Sequence, residues 1–225
     1  MEELGYAFFV DFDGTITTSD VCATLVETFA GEGWQELNER WENKELSTLE
    51  CARQTFKLFK TNKPEDFRTL ADQAMLDPSF PDFVAFCRDK KFPIVILSDG
   101  YGYYIEFLLK REGLELTYYA NTLLFTPELD IEAPYHSCTC DLCGVCKLEL
   151  MQRLKKPAYK TVYIGDGYSD FCPAENADVV FAKNKLYQHC LKVGKNANAL
   201  VFESFQDILQ KLGQILEGEP RAESI

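Results

Sequence analysis

The sequence has few basic residues for its number of acidic ones. Lysine and arginine together number 23 and aspartate and glutamate 36, so the difference, 23 minus 36, is a formal net charge of -13 at pH 7. Nucleic acid and anionic membrane surfaces repel a chain with this charge. We therefore expect neither as a partner, whereas an anionic small molecule can still bind where a metal ion and local cations reverse the field.

The sequence also lacks an apolar run of the ~20 residues that a membrane span needs. Its first residues include Glu2 and Glu3, where a signal peptide would carry positive charge. No internal repeat or low-complexity linker is present, and a hydrophobic fraction of 46% excludes a disordered chain. These absences predict a cytoplasmic, globular protein without a membrane partner.

Two aspartates, Asp11 and Asp13, follow the apolar run 6–10 directly. Because residues two apart on a strand share a face, two carboxylates meet at the carboxyl end of a buried strand, where open parallel sheets bind ligands. Like charges this close resist joint ionisation unless a cation neutralises them. The pair therefore indicates a hard divalent metal combined with acid or nucleophilic chemistry.

Strand and helix patterns alternate along most of the chain. The predicted strands and extended segments are 6–10, 92–97, 115–125, 129–133, 161–164, 178–181 and 199–202. Between the first and second of these, Ser19 to about Asp77 has a helical pattern throughout. The sequence therefore predicts an α/β fold with a doubly wound parallel core sheet in residues 1–17 and 78–225 and an all-helical insert in residues 18–77.

Polar clusters stand at four places that this sheet would bring together. Three follow predicted strands and one begins a predicted helix: residues 11–15, 98–100 and 165–170, and Lys147. Parallel strands all end at the same edge of a sheet, so we expect one crevice. It would hold carboxylates, a hydroxyl and a lysine, the set that phosphoryl transfer requires. Mg²⁺ suits the acidic residues because it prefers oxygen ligands.

In residue type and order these four clusters resemble the motifs of the haloacid dehalogenase superfamily of phosphatases. The resemblance spans the whole core and implies a Rossmann-like fold, a helical cap in place of the insert, and a small phosphate ester as substrate. It also implies that Asp11 attacks phosphorus to form an aspartyl phosphate. Asp13 would then protonate the leaving oxygen and later activate the hydrolytic water.

The same resemblance implies roles for the remaining motif residues. Ser98, Asp99 and Lys147 would form the phosphate-binding site. The magnesium site would consist of Asp11, Asp13 through its main-chain carbonyl, Asp166 and Asp170, the last as a ligand or as a partner of the ligands.

Asp13 also separates branches of the superfamily. Dehalogenases lack this second aspartate, because a halide leaving group needs no proton, and the related ion pumps need transmembrane helices. An insert between the first and second motifs is typical of the phosphoserine phosphatase branch. That likeness implies substrate-facing roles for Asp20 and Arg53, which could equally be a helix N-terminal charge and a solvated helix residue. Ser169 departs from the Asn usual in that branch.

A loop before Lys147 contains Cys138, Cys140, Cys143 and Cys146. It is similar to the cysteine-rich loop of the methionine-salvage phosphatases, which act on 2-hydroxy-3-keto-5-methylthiopentenyl-1-phosphate. The four thiols could hold a structural Zn²⁺, with His136 nearby, or remain plain thiols, or serve a redox or iron-sulfur role.

Other functions stay open at this point. A phosphatase for phosphoserine or another small phosphorylated metabolite has the same framework, as does a phosphotransferase in which an alcohol replaces water. A noncatalytic thiol or metal sensor on a phosphatase fold is the alternative from another class. Such a sensor would have no need to keep Asp11, Asp13, Lys147 and Asp166.

Overall fold

The computed structural model describes residues 5–137, 141–194 and 198–218. Within these ranges the strands form one sheet in the order β4-β3-β2-β1-β5-β6-β7. The strands are β1 (Gly5–Val10), β2 (Ile94–Tyr101), β3 (Thr117–Phe125), β4 (Leu129–Glu132), β5 (Tyr159–Gly165), β6 (Val179–Ala182) and β7 (Ala199–Val201).

Helices connect most of these strands. In chain order they are α1 (Val21–Phe29), α2 (Trp34–Glu42), α3 (Thr48–Phe56), α4 (Pro64–Gln73), α5 (Phe80–Asp89), α6 (Gly102–Arg111), α7 (Lys147–Leu154), α8 (Phe171–Asn176), α9 (Asn184–Lys192) and α10 (Phe205–Gly218). In the described part of the chain, no helix combines the length and the apolarity that crossing a bilayer would require.

The central strand β1 explains the layered architecture. All six of its residues are buried, as expected for a parallel strand covered on both faces. Phe8 and Val10 belong to one hydrophobic cluster, whereas Ala7 and Phe9 belong to a second. The sheet is parallel except at its edge, where β4 pairs antiparallel with β3. The predicted doubly wound α/β fold class is confirmed.

Helices α1 to α4 occupy the segment between β1 and α5, where the sequence predicts a helical insert. The two ends of this segment lie side by side. The main-chain N–H of Thr18 donates to the carbonyl of Met75 at 2.9 Å, and that of Asp77 donates to Ile16 at 2.8 Å. A segment that leaves and rejoins the core at one place has the geometry of an inserted cap. The division into a core domain and a cap at 18–77 stays a prediction.

Strand β2 ends later than the sequence predicts. The sequence indicates a strand that ends at Ser98, whereas β2 continues to Tyr101. Its register against β3 shifts between Leu97 and Tyr101, where pairing resumes with Asn121. An irregularity of this kind redirects side chains without ending the strand. The polar cluster at 98–100 therefore belongs to a bulged strand end rather than to a loop.

The face of the sheet that carries α5 and α10 is packed with aromatic rings. Phe83 is fully buried, and its ring centroid lies 5.2 Å from that of Phe8 and 5.1 Å from that of Phe205. These contacts join β1 to both helices. They therefore hold the strand that carries the first aspartate pair.

We expect Phe83→Ala to lower the free energy of unfolding by about 3–5 kcal/mol, because it removes buried apolar surface and leaves a cavity. Denaturant unfolding followed by circular dichroism measures this change. Leu191→Ala is the matched control, since Leu191 is 40% exposed and should cost less than about 1 kcal/mol. Equal losses for the two variants would contradict the assignment of Phe83 to the core.

Candidate active site

The register of the three central strands places the polar clusters together. Val10, the last residue of β1, pairs with Ile96 of β2 on one side and with Ile164 of β5 on the other. The next main-chain N–H, that of Asp11, donates to the Ile164 carbonyl at 2.9 Å. The residues that come after Val10, Ile96 and Ile164 therefore emerge at one point of the sheet edge, where such folds bind ligands.

Lys147 is the first residue of α7, and its ammonium lies at the centre of the site. Its Nζ contacts Asp11 Oδ1 at 2.5 Å, Asp170 Oδ1 at 2.7 Å and Ser169 Oγ at 2.9 Å. The side chain is only 1% exposed. Burial disfavours the ammonium, but the two carboxylates outweigh it and raise the pKa of Lys147. The lysine is therefore a fixed positive charge.

Asp170 is fully buried, and both of its carboxylate oxygens are occupied. Oδ1 accepts from Tyr163 Oη at 2.6 Å as well as from Lys147. Oδ2 accepts from the main-chain N–H groups of Asp166 and Gly167 at 3.0 and 2.9 Å. These bonds use its acceptor capacity and fix the turn that carries Asp166. Asp170 is thus better suited to orienting a metal ligand than to being one.

A group of carboxylates could hold a cation beside Lys147. Oxygens of Asp11, Asp166 and Asp170 all lie within 4.8 Å of one another. Gly14, at φ 71°, lies against Asp166, and a Cβ there would come within 2.9 Å of Asp166 Oδ2. The glycine leaves the space that brings this carboxylate against the β1 loop. Oxygen ligands from Asp11 and Asp166, with Asp170 holding the turn that carries Asp166, fit Mg²⁺.

The charges of this group call for such a cation. Burial, followed by the charge of Asp170, raises the pKa of Asp11 well above its usual range, although Lys147 opposes the rise. Burial and Asp170 also raise the pKa of Asp166 to about 6. One lysine therefore does not balance these carboxylates. A bound divalent cation would allow all of them to ionise.

Asp13 lies beside this group with three hydrogen-bond donors around it. Tyr104 Oη donates to Oδ2 at 2.5 Å, Ser98 Oγ to the same oxygen at 3.4 Å, and the main-chain N–H of Val21 to Oδ1 at 3.2 Å. Burial and then the charge of Asp20 raise the pKa of Asp13 to about 7, against smaller opposing effects of the hydrogen bonds from Tyr104 and Val21. A carboxyl with this pKa can give and take a proton near neutral pH.

The carboxylate of Asp99 has a different role from the hydroxyl of its neighbour Ser98. Oδ1 accepts from the main-chain N–H of Val145 at 2.7 Å, and Oδ2 accepts from Thr48 Oγ1 at 3.1 Å. Asp99 thus ties the approach to α7 and the start of α3 to β2. The structure gives this side chain a bridging position, and a negatively charged carboxylate repels phosphate. Any phosphate contact at Asp99 would have to come from its main chain.

Asp20 caps α1 and also lines a cavity. Its Oδ1 accepts from the main-chain N–H of Ala23 at 2.8 Å, as expected for an N-cap. The cavity has a volume of about 550 Å³, and Asp166, Lys183 and Asn184 contribute to its wall. Both interpretations of Asp20, a helix N-terminal charge and a residue that faces the site, are therefore compatible with its position.

Arg53 pairs with the edge of the sheet. Its Nε donates to Asp130 Oδ1 at 2.9 Å and its NH2 group to the carbonyl of Ile131 at 3.3 Å. The Arg53 side chain is 53% exposed. These contacts join α3 to β4 and are not contacts with the carboxylate group. A substrate-facing role for Arg53 stays a prediction that would require this pair to open.

The cysteine cluster is described only in part. Cys138 and Cys140 lie outside the described residues, so none of the alternatives for the four thiols, structural zinc included, is tested. Cys146 is the N-cap residue of α7, and its main-chain N–H donates to the carbonyl of Tyr135 at 2.9 Å. The loop thus leads directly into the helix that begins with Lys147.

Several residues at the site escape a reading of the sequence. Tyr104 and Tyr163 reach the aspartates from within α6 and β5, where each has the pattern of an ordinary core aromatic. Thr48 contacts Asp99 from α3. Asn184 Nδ2 donates to Asp166 Oδ2 at 3.2 Å. Asn184 alone had a usable signal, because it follows β6 at the same edge of the sheet.

Comparison with known proteins agrees with this geometry. The 2-hydroxy-3-keto-5-methylthiopentenyl-1-phosphate phosphatase of Bacillus cereus (strain ATCC 14579) is 31% identical over 213 residues, covering 93% of this chain and 96% of that protein. The protein of the same name from Lysinibacillus sphaericus is 30% identical over 219 residues, covering 93% and 94%. A solved phosphoserine phosphatase, a phospho-aspartyl intermediate analogue, superposes with a TM-score of 0.69 at 16% identity, covering 93% and 99%.

At 16% identity the solved structure shows that the fold is shared and no more. The family model described as "Putative Phosphatase" matches residues 6–206. This match runs from the second residue of β1 past the end of β7 and includes all four polar clusters. The chain therefore belongs to the "Putative Phosphatase" family of the haloacid dehalogenase superfamily.

Proposed function

We propose that the protein is a magnesium-dependent phosphatase that hydrolyses a small phosphate monoester through an aspartyl phosphate. The observation that supports this most directly is the buried contact of Lys147 Nζ with Asp11 Oδ1 at 2.5 Å, beside Asp13 and Asp166 at the same sheet edge. A buried carboxylate held by a lysine, next to a carboxyl with a pKa of about 7, provides a nucleophile and a proton donor.

In the first half-reaction an oxygen of Asp11 attacks phosphorus, and the bond from phosphorus to the ester oxygen breaks. Asp13 gives its proton to that departing oxygen. In the second half-reaction Asp13, now ionised, takes a proton from a water molecule that attacks the aspartyl phosphate. Asp11 and inorganic phosphate are released, and each atom of the site returns to its starting state.

The transferred group also requires positive charge and hydrogen-bond donors. Lys147 supplies a buried ammonium, and Ser98 supplies a hydroxyl at the end of β2. Asp11, Asp166 and the main-chain carbonyl of Asp13 would hold Mg²⁺. Asp170 would orient Asp166. When bound, the ion neutralises negative charge on the phosphoryl oxygens and on the carboxylates.

We expect Asp11→Asn to reduce phosphate release by more than about 1,000-fold, because an amide is not a nucleophile. The assay follows inorganic phosphate and the released alcohol from a phosphate ester with Mg²⁺. The variant should remain folded at the assay temperature, since Asp170 still pairs with Lys147, and circular dichroism checks this. Asp82→Asn, an exposed change on α5, is the control and should retain full activity.

Three outcomes of the same assay would change the proposal. Near wild-type turnover by Asp11→Asn would exclude Asp11 as the nucleophile. Less free phosphate than released alcohol, when acceptor alcohols are added, would make the protein a phosphotransferase. A wild-type protein that releases no phosphate from any ester would favour the noncatalytic sensor.

We also expect metal-free protein to lose stability as the pH rises from about 4 to about 7. The folded-state pKa values of Asp13 and Asp166, about 7 and about 6, lie above the usual 3.8. In this interval the folded protein binds more protons than the unfolded chain, so raising the pH favours unfolding. Added Mg²⁺ should reverse the loss above about pH 7, because it stabilises the ionised carboxylates.

Melting temperatures measured across this pH range, with chelator or with Mg²⁺, test the prediction. Sodium chloride at matched ionic strength controls for screening of the overall negative charge. Asp166→Asn should show a much smaller effect of Mg²⁺ than the wild type. A magnesium-induced shift of the same size in both proteins would place the ion elsewhere.

The substrate proposal depends on the relatives. Both sequence relatives reported above carry the name of a 2-hydroxy-3-keto-5-methylthiopentenyl-1-phosphate phosphatase and are covered almost end to end. We infer that this ester is the substrate of the present protein. The segment 18–77 would act as a cap over the reacting phosphate, since its helix α1 brings Asp20 to the cavity and Val21 to Asp13. Phosphoserine is the alternative substrate.

We expect kcat/KM for the methylthiopentenyl ester to exceed that for phosphoserine and 3-phosphoglycerate by at least about 100-fold. Asp20→Asn should raise kcat/KM for 3-phosphoglycerate relative to the methylthiopentenyl ester, because it removes repulsion between two carboxylates. Asparagine also caps helices, so α1 should be retained. An unchanged ratio would exclude Asp20 from substrate selection, and a preference for phosphoserine would overturn the substrate proposal.

A further inference from the structure

Tyr104 makes the shortest contact to the carboxyl group of Asp13. Its Oη donates to Asp13 Oδ2 at 2.5 Å, across 91 positions of sequence. The residue lies in the first turn of α6 and is 1% exposed. Its ring centroid lies 6.1 Å from that of Phe12 and 6.1 Å from that of Tyr101. The ring is thus fixed in the core, and only its hydroxyl reaches the sheet edge.

The backbone beside this contact is shaped to admit it. A Cβ on Gly100 would stand less than 2.5 Å from both Tyr104 Oη and Asp13 Oδ2. Gly100 does not have a positive φ that would require glycine. Glycine is needed there because a side chain would occupy the space of the Tyr104 hydroxyl and the Asp13 carboxyl. The bulged end of β2 therefore makes room for one specific pair, a hydroxyl and a carboxyl.

The other hydroxyl near Asp13 cannot replace Tyr104 during the reaction. Ser98 Oγ stands 3.4 Å from Asp13 Oδ2 and, under the proposed function, turns to a phosphoryl oxygen when substrate binds. The main-chain N–H of Val21 holds only the opposite oxygen, Oδ1. With substrate present, Tyr104 is therefore the side chain among those described that keeps Oδ2 in place.

We propose that Tyr104 is a positioning residue that holds the carboxyl group of Asp13 in line with the ester oxygen. The inference rests on the proposed phosphatase function. It adds to that function a residue that positions the proton donor of the leaving group. As the bond between phosphorus and the ester oxygen breaks and the bond from phosphorus to Asp11 forms, the proton of Asp13 passes to the departing alcohol. Tyr104 does not exchange a proton in this step; it fixes the donor.

The test uses esters that differ in their need for this proton. An aliphatic phosphate monoester expels a basic alkoxide unless it is protonated, whereas p-nitrophenyl phosphate expels a stable phenolate. In Tyr104→Phe we expect kcat/KM for the aliphatic ester to fall about 10- to 100-fold, a part of what general acid catalysis supplies. For p-nitrophenyl phosphate the fall should stay within about 3-fold. The ratio kcat/KM is the right quantity because it reports the steps up to transfer onto Asp11.

Two further variants separate positioning from a general structural effect. Tyr103→Phe is the matched control, since the neighbouring hydroxyl donates to the carbonyl of Pro64 at 2.8 Å, outside the carboxylate group. It should leave the ratio between the two esters unchanged. Asp13→Asn should show the same selective loss on the aliphatic ester, only larger. Adding Tyr104→Phe to Asp13→Asn should cost nothing further, because the tyrosine acts through Asp13.

Each result bears on the proposal. A selective loss in Tyr104→Phe that disappears in the Asp13→Asn background supports it. Equal losses on both esters, no loss on the aliphatic ester, or additive losses in the double variant would overturn it while leaving the phosphatase function intact. A loss in Asp13→Asn that does not depend on the leaving group would instead overturn the acid role of Asp13, and Tyr104 with it.

Discussion

The buried ammonium of Lys147 is the interaction on which the site depends. It joins the first residue of α7 to the end of β1 through Asp11 and to the turn after β5 through Asp170. Removing one partner of a buried ion pair leaves an uncompensated charge and typically costs several kcal/mol. The contact therefore acts as a structural constraint as well as a chemical one. It fixes the Asp11 carboxylate before any ligand binds. Preorganisation of this kind lowers the barrier to phosphoryl transfer.

A second set of contacts joins the helical segment to this core. Asp99 receives Thr48 of α3 on one oxygen and the main chain of Val145, just before α7, on the other. The main-chain N–H of Thr48 also donates to the carbonyl of Leu142 at 2.8 Å. The Asp99 carboxylate thus connects β2, α3 and the loop that leads into Lys147. A change in the position of α3 would therefore reach the segment that carries Lys147 through these hydrogen bonds, which link the helical segment to the sheet.

The sequence reveals those parts of the site that follow apolar runs. Asp11, Asp13 and Asp166 could be placed because each stands just after a strand, and strand ends in a parallel sheet converge. Tyr104 and Thr48 could not, because their partners lie 91 and 51 positions away on other elements and nothing local distinguishes them from ordinary helix residues. The predicted end of β2 was wrong for a related reason: a bulge depends on its partner strand. Side-chain pairing across elements is tertiary information that a single sequence does not carry.

The protein and its proposed substrate are both negatively charged, so the repulsion between them has to be offset locally, at the site. A net charge of -13 repels a phosphate ester, and the site adds buried carboxylates against a single buried lysine. The raised pKa values of Asp11 and Asp166 express the same excess. A dianionic ester can enter only when this negative charge is neutralised, either by protons or by a cation. Under the proposed mechanism a protonated Asp11 could not attack phosphorus, so at neutral pH a cation is the form of neutralisation that is compatible with turnover.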